Sequence, residues 1–195
     1  FTPEIIIDKA KRMRNASRRL ILLLESTANA ERLDENGFQI NRQPVDFSEL
    51  VRNTCAYHQE LHPELELVTD IQDSETFCYC DSILVEQILV NLLGNATKYS
   101  PADKPIEVTT EEDDNEFRCI VRDYGIGIPA EDTDRIFTRF FRASNASHMA
   151  GTGLGLSLSR ALAELHGGTL VFTSIEGQGT VFILSLPKVA PHATA

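Results

Sequence analysis

An α/β sandwich, in which helices cover one face of a mixed sheet, is the fold this sequence predicts. Three observations carry it: a series of short segments alternating apolar and polar residues, helical patterns set between them, and a glycine-bearing tight connection joining the last two. In chain order, Ile6, Ala10, Met13, Ser17, Leu20, Leu24 and Thr27 step by four and three, which predicts one long helix over residues 4–35, closed by Asn36-Gly37 as a glycine cap. A lone helix cannot bury its own stripe, so this one needs a partner helix or the following domain. Gln43-Pro44 reads as a break, and Asp46 followed by Glu49 has the shape of a capping box that opens a second helix running to Leu61. Strands of one mixed sheet are predicted at 65–72, 76–79, 105–111, 116–122, 169–175 and 180–186, with helices at 82–99, 133–141 and 154–166, and Glu176-Gly177-Gln178-Gly179 as the last turn. The predicted organisation is an N-terminal helical element at 1–43, a main domain at 44–187 and a frayed tail at 188–195.

Length and composition narrow the function. The chain's 195 residues suit one well-cored domain plus an appendage, given that domains run to about 100–150 residues. No apolar run approaches the roughly 20 residues that span a bilayer, and no signal peptide is visible. Cys55, Cys78, Cys80 and Cys119 lack the paired spacing of a structural zinc site, so they read as reduced packing residues. His58 and His62 have a spacing that can chelate a metal on a helix, but with no third ligand they read as an exposed helix face. A net charge of −11 disfavours a sequence-independent grip on nucleic acid. Residues 1–20 alone carry +4, either as a solvated helix face or as a docking surface for an acidic partner.

Three stretches carry chemistry. On the helix at 82–99, an advance of about 100° per residue gathers Gln87, Asn91, Asn95 and Lys98 into one polar quadrant. Val85, Ile88, Leu89, Leu92, Leu93 and Ala96 form the buried stripe beside it, with Glu86 and Thr97 on the far side. Two asparagines and a lysine in line suit a metal and phosphate oxygens, and an ordinary solvated face is the alternative. Next, Asp123-Tyr124-Gly125-Ile126-Gly127-Ile128-Pro129 follows a strand directly, so a carboxylate is delivered into a cleft and the glycines let a flat ligand approach. An ionised carboxylate only accepts hydrogen bonds, which selects an adenine amine and rejects a guanine carbonyl. Finally, Gly151-Thr152-Gly153-Leu154-Gly155-Leu156-Ser157 opens a helix, and its backbone N–H groups form an anion site suited to a triphosphate; no lysine follows, so it is not a Walker A loop. Between the last two lies RIFTRFFR (135–142) and then ASNASHMA (143–150), whose composition predicts a mobile lid on an aromatic anchor that includes Phe137. Arg142 is placed to reach a γ-phosphate, and both it and Arg139 also admit a surface role.

Together NLLGNATKYS (91–100), DYGIGIP (123–129), RIFTRFFRA (135–143) and GTGLGLS (151–157) resemble the catalytic ATP-binding domain of sensor histidine kinases of two-component signalling. The resemblance covers about residues 45–187, and the helix at 4–35 resembles the second helix of that family's dimerisation and phosphoacceptor domain. It implies a Bergerat-type fold of the wider GHKL superfamily, ATP and magnesium as cofactors, and transfer to a histidine on a dimerisation helix, then to a response regulator. It also implies a homodimer in the full-length protein and a cytoplasmic location, with a membrane anchor possible only elsewhere in the parent. By this resemblance Asn95 coordinates magnesium and Asn91 supports it. Lys98 and Tyr99 lie by the phosphates and lid, Asp123 with Gly125, Ile126 and Gly127 holds the adenine, and Gly151, Thr152, Gly153, Leu154, Gly155 and Leu156 cradle the triphosphate. Residues 1–36 hold no histidine, so the acceptor is expected outside this chain. Related ATPases such as gyrase place a glutamate one turn before the metal-binding asparagine, where this chain has Asn91; an amide cannot take a proton, which disfavours hydrolysis. A nucleotide-sensing pseudokinase scaffold is the alternative of the binding-module class.

Overall fold

The computed structural model describes residues 40–188. The expected helix at 4–35, its Asn36-Gly37 cap and basic face, and the tail beyond 188 lie outside the described residues.

Strand β1 (Gln43–Val45) leads into helix α1 (Phe47–Leu61), and Asp46 caps that helix by accepting from the Glu49 N–H at 2.8 Å. Strands β2 (Leu67–Asp70) and β3 (Cys78–Cys80) follow, then helix α2 (Ser82–Tyr99), whose N-cap Asp81 accepts from the N–H groups of Ile83 and Leu84. Strands β4 (Ile106–Glu112) and β5 (Glu116–Asp123) form a hairpin. A 3-10 turn at Ala130–Arg135 and a second at Ser144–Ala146 precede helix α3 (Gly155–Leu165), and strands β6 (Thr169–Ile175) and β7 (Gly179–Pro187) end the domain.

Five strands form a sheet in the order β2-β4-β5-β7-β6, parallel only between β2 and β4. Period-two alternation sends Ile106 and Val108, Phe117, Cys119 and Val121, and Phe182, Leu184 and Leu186 to one face. That face receives α1 through Phe47, Val51 and Cys55, and α3 through Leu158, Leu162 and Ala163, while α2 lies between them with Val85, Ile88, Leu89, Leu92, Leu93 and Ala96 buried. The predicted apolar stripe of α2 is thus the one found. Thr97 is not on a free far side, because its hydroxyl meets His58 Nε2 at 2.7 Å across the α1–α2 seam.

Several expectations need correction. The strands do not make one sheet: β3 pairs antiparallel with β1 in a separate two-stranded ribbon, so Gln43-Pro44 is strand rather than break. Proline is tolerated there because β1 has β3 as its one neighbour and the missing N–H breaks no second ladder. The strand expected at 65–72 stops at Asp70, and the backbone of Gln72 is satisfied by side chains instead, its N–H by Thr110 Oγ1 at 2.9 Å and its carbonyl by Ser48 Oγ at 2.6 Å. The helix expected at 133–141 is absent. Thr138 and Phe141 donate three residues back, to Arg135 and Thr138, and the Phe140 N–H crosses to the Gly153 carbonyl at 2.9 Å, which takes Phe140 to φ +64° and stops any helix. His58 is not exposed but 6% accessible, held well under its ordinary pKa at about 4 by burial and by the neighbouring His62. Lys188 is no frayed end, since its N–H donates to Asn115 O at 2.8 Å and its Nζ lies 3.7 Å from Glu112.

Candidate functional site

Helix α2 ends at Tyr99, and the loop after β5 is strapped to that end. The Tyr99 carbonyl accepts from Ile126 N–H at 3.2 Å, and a Cβ on Gly125 would stand 2.3 Å from the same oxygen. Any side chain at 125 would therefore push the loop off the helix. Gly127, at φ +63°, would bring a Cβ to 2.1 Å from the Ile175 carbonyl. Glycine is required at both positions by close approach, which is what brings Asp123 against the mouth of the helix layer.

Asp123 closes β5 as a residue only 7% accessible. Burial pushes its pKa above the ordinary carboxylate range, and hydrogen bonds from the Gly125 N–H, at 2.9 Å, and the Thr180 backbone partly offset this. A buried carboxylate bonded only by backbone N–H groups retains accepting capacity for a donor in the cleft.

The polar quadrant of α2 faces α3 and the glycine-rich run. Asn91 Nδ2 donates to Ser159 Oγ on α3 at 2.9 Å, and its Oδ1 would lie 2.2 Å from a Cβ on Gly155. Lys98 Nζ donates to Tyr99 Oη at 2.7 Å and would lie 3.0 Å from a Cβ on Gly151. Asn91, Asn95, Lys98 and Tyr99 all lie half-buried on the last turns of α2, and Asn91 and Lys98 meet the two ends of the Gly151–Gly155 run. Helix α3 begins with no side-chain cap hydrogen bond, and Thr152 Oγ1 accepts from the N–H of its N-cap, Leu154, at 3.4 Å. Leu154 is buried and Leu156 joins the apolar floor below the lid.

That floor comprises Ile128, Ile136, Ala143 and Ala146, with Tyr99, Ile126, Phe137, Phe141 and Phe172 against it. Phe137 meets Phe172 edge to face at 5.6 Å. The stretch expected to be a mobile lid is partly built structure. Asp132, buried, accepts from Ser144 N–H at 2.7 Å and Oγ at 2.8 Å, and these bonds hold its carboxyl below the ordinary range. Arg142 donates through Nη2 to the carbonyls of Ala146, at 2.6 Å, and Met149. Asp132, Asn145 and Ser159 were not singled out by sequence reasoning. Their partners lie 12, 18 and 68 residues away, so no local spacing could reveal them.

Residues 80–190 match the family described as histidine kinase-, DNA gyrase B- and HSP90-like ATPase. The sensor protein kinase WalK of Staphylococcus aureus is 33% identical over 178 residues, covering 89% of this chain and 43% of that protein. The chain therefore spans less than half the length of this relative. Among solved structures, the mycobacterial sensor histidine kinase MprB superposes with a TM-score of 0.68 at 27% identity, over 76% of this chain and all of that one. Full-length ShkA, solved in complex with AMPPNP, shares the fold with a TM-score of 0.75 at 24% identity, over 94% of this chain and 39% of that one. On its own matched residues, this chain belongs to the histidine kinase-, DNA gyrase B- and HSP90-like ATPase family.

Proposed function

We propose that this chain is the phosphoryl-donating half of a sensor histidine kinase, which binds ATP with magnesium and passes the γ-phosphoryl to a histidine on a dimerisation helix for relay to a response regulator. One observation carries the choice of transfer over hydrolysis: Asn91, one turn before Asn95, is an amide bonded to Ser159, with no carboxylate in its place to take a proton from water. A neutral imidazole, with a pKa of about 6.5, is already nucleophilic and needs less of a base than water does.

In this reading Asp123 accepts from the adenine amine, and the N–H groups of the Gly151–Gly155 run and of the first turn of α3 hold the phosphates. Lys98, steadied by Tyr99, neutralises phosphate charge, and Arg142 meets the γ-phosphate from the lid. Asn95 would hold magnesium, which when bound spreads the charge of the transferring group. An asparagine amide oxygen on the half-buried Asn95 is a hard donor of the kind magnesium takes, one or two protein oxygens beside phosphates and waters. Positioning and electrostatic stabilisation then carry the transfer. A parent protein of the sensor kinase kind would be a homodimer with this domain in the cytoplasm, and no helix among the described residues is long and apolar enough to cross a membrane.

Labelled ATP mixed with this chain and a supplied histidine-bearing helix domain should label that histidine, and Asn95→Ala should stop it. Nucleotide binding without any label on the histidine would remove the transfer reading.

A further inference from the structure

Three segments converge on the backbone of Ile126 and Gly127. The Ile126 N–H donates to Tyr99 O at 3.2 Å, and the Ile126 carbonyl accepts from Gly177 N–H at 2.8 Å. The third strap comes from the lid: Asn145 Nδ2 lies 3.4 Å from the Ile126 carbonyl and 3.1 Å from that of Gly127. Carbonyl oxygens only accept, so the amide nitrogen must face them. This leaves Asn145 Oδ1 buried with no hydrogen-bond partner among the described residues, so the orientation is set by the loop and not by what surrounds the oxygen.

Asn145 sits in the one-turn 3-10 element Ser144–Ala146, which Asp132 grips from the other side through Ser144. Arg142 bonds the carbonyls of Ala146 and Met149, so its guanidinium goes where that turn is held. The adenine loop, the turn and Arg142 therefore form one connected chain of contacts.

We propose that Asn145 is a positioning residue: it pins the start of the lid to the adenine loop and thereby sets where Arg142 presents its charge. This rests on the nucleotide reading above, in which Arg142 meets the γ-phosphate. In that reading Asn145 has no phosphate or magnesium contact, its amide nitrogen being spent on the Ile126 and Gly127 carbonyls while Tyr99 and Gly177 also hold that loop. Its loss should therefore act through Arg142 and be felt by a ligand with a γ-phosphate but not by one without.

The test is calorimetric titration of ADP and of a non-hydrolysable ATP analogue, both with magnesium, into the wild-type protein and four variants: Asn145→Ala, Asn145→Ser, Arg142→Ala and the Asn145→Ala/Arg142→Ala double. ADP affinity should stay within about twofold throughout, and affinity for the analogue should fall about tenfold in both alanine variants, with the double no weaker than Arg142→Ala alone. Serine, able to donate to one of the two carbonyls, should recover part of the loss. Equal weakening of ADP and the analogue, additive losses in the double, or an Arg142→Ala that leaves the analogue unaffected would each overturn the proposal. Wild-type protein that binds neither nucleotide would overturn the nucleotide reading and this proposal with it, whereas wild type that binds both while the variants behave additively overturns this proposal alone. The serine variant keeps the test informative if Asn145→Ala fails to fold.

Discussion

At the scale of the residue, Asp123 sets stability against binding. Burial raises its pKa, so its contribution to folding is fullest below the unfolded value of about 3.9 and is lost as pH rises through the folded value. At neutral pH the carboxylate therefore costs stability, and Asp123→Asn should leave the melting temperature unchanged or raise it. The same change removes a charge-assisted acceptor and should weaken ATP binding by about 1.5–3 kcal/mol, roughly 10- to 150-fold. A drop in both stability and affinity would mean the carboxylate is structural. Two glycines separate sharply on similar grounds. Gly94, inside α2 with nothing within 4 Å of an added Cβ, should accept alanine with a gain of up to about 1 kcal/mol. Gly127→Ala, at φ +63° and against the Ile175 carbonyl, should cost more than about 2 kcal/mol and also disturb the nucleotide loop. Urea unfolding of the two variants checks both signs.

Among the elements, those with a strong period and their own end signals were legible in the sequence. Helix α2 carries a continuous apolar stripe and Asp81 as cap, and α3 follows a glycine run, so both lie within a residue or two of expectation. The segment 133–141 misled because Ile136, Phe137, Phe140 and Phe141 mimic a helical face, while the decisive bond, Phe140 N–H to Gly153 O, joins residues 13 apart across the lid. Likewise the β1–β3 ribbon depends on a pairing between residues 43–45 and 78–80 that neither strand announces. In the candidate site, Asn91 and Lys98 of α2 meet the glycine run, and the loop after β5 meets the end of α2 at Tyr99; the side chains that brace them, such as Asp132 and Ser159, do not follow from local pattern. The α1–α2 seam yields a pH prediction. His58 is held neutral with a pKa of about 4, and His166, also lowered by burial, has its tautomer fixed by Leu162 O at Nδ1 and Asp81 N–H at Nε2. The unfolded chain binds protons at both sites first, so their contribution is complete above about pH 6.5 and declines below it, for His58 down toward pH 4. His58 alone should account for about 2 kcal/mol once residual solvent screening is allowed for. Chemical denaturation at pH 7, 6 and 5 should show the decline, and His58→Gln should flatten it.

For the whole domain, the sheet is a support from which the loop after β5 reaches the end of α2, and α2 in turn meets the glycine run and α3. The bend after β5 is held by α2, by the β6–β7 turn and by Asn145, so the loop to which the proposed function gives the adenine is braced from three segments. Residues 147–151, which the proposed function sets at the phosphates, are mostly exposed. In that reading a braced base site and an open phosphate end suit a donor that must hold its nucleotide while a separate helix approaches. The same reading also makes base identity the sharpest discriminant. Titrating ATP and GTP, each with magnesium, into the wild-type protein shows whether Asp123 reads the base. Heat of binding is expected for ATP and none for GTP at the same concentrations, because Asp123 can accept from an adenine amine and must repel a guanine carbonyl; equal binding of the two, or binding of neither, would overturn the adenine site.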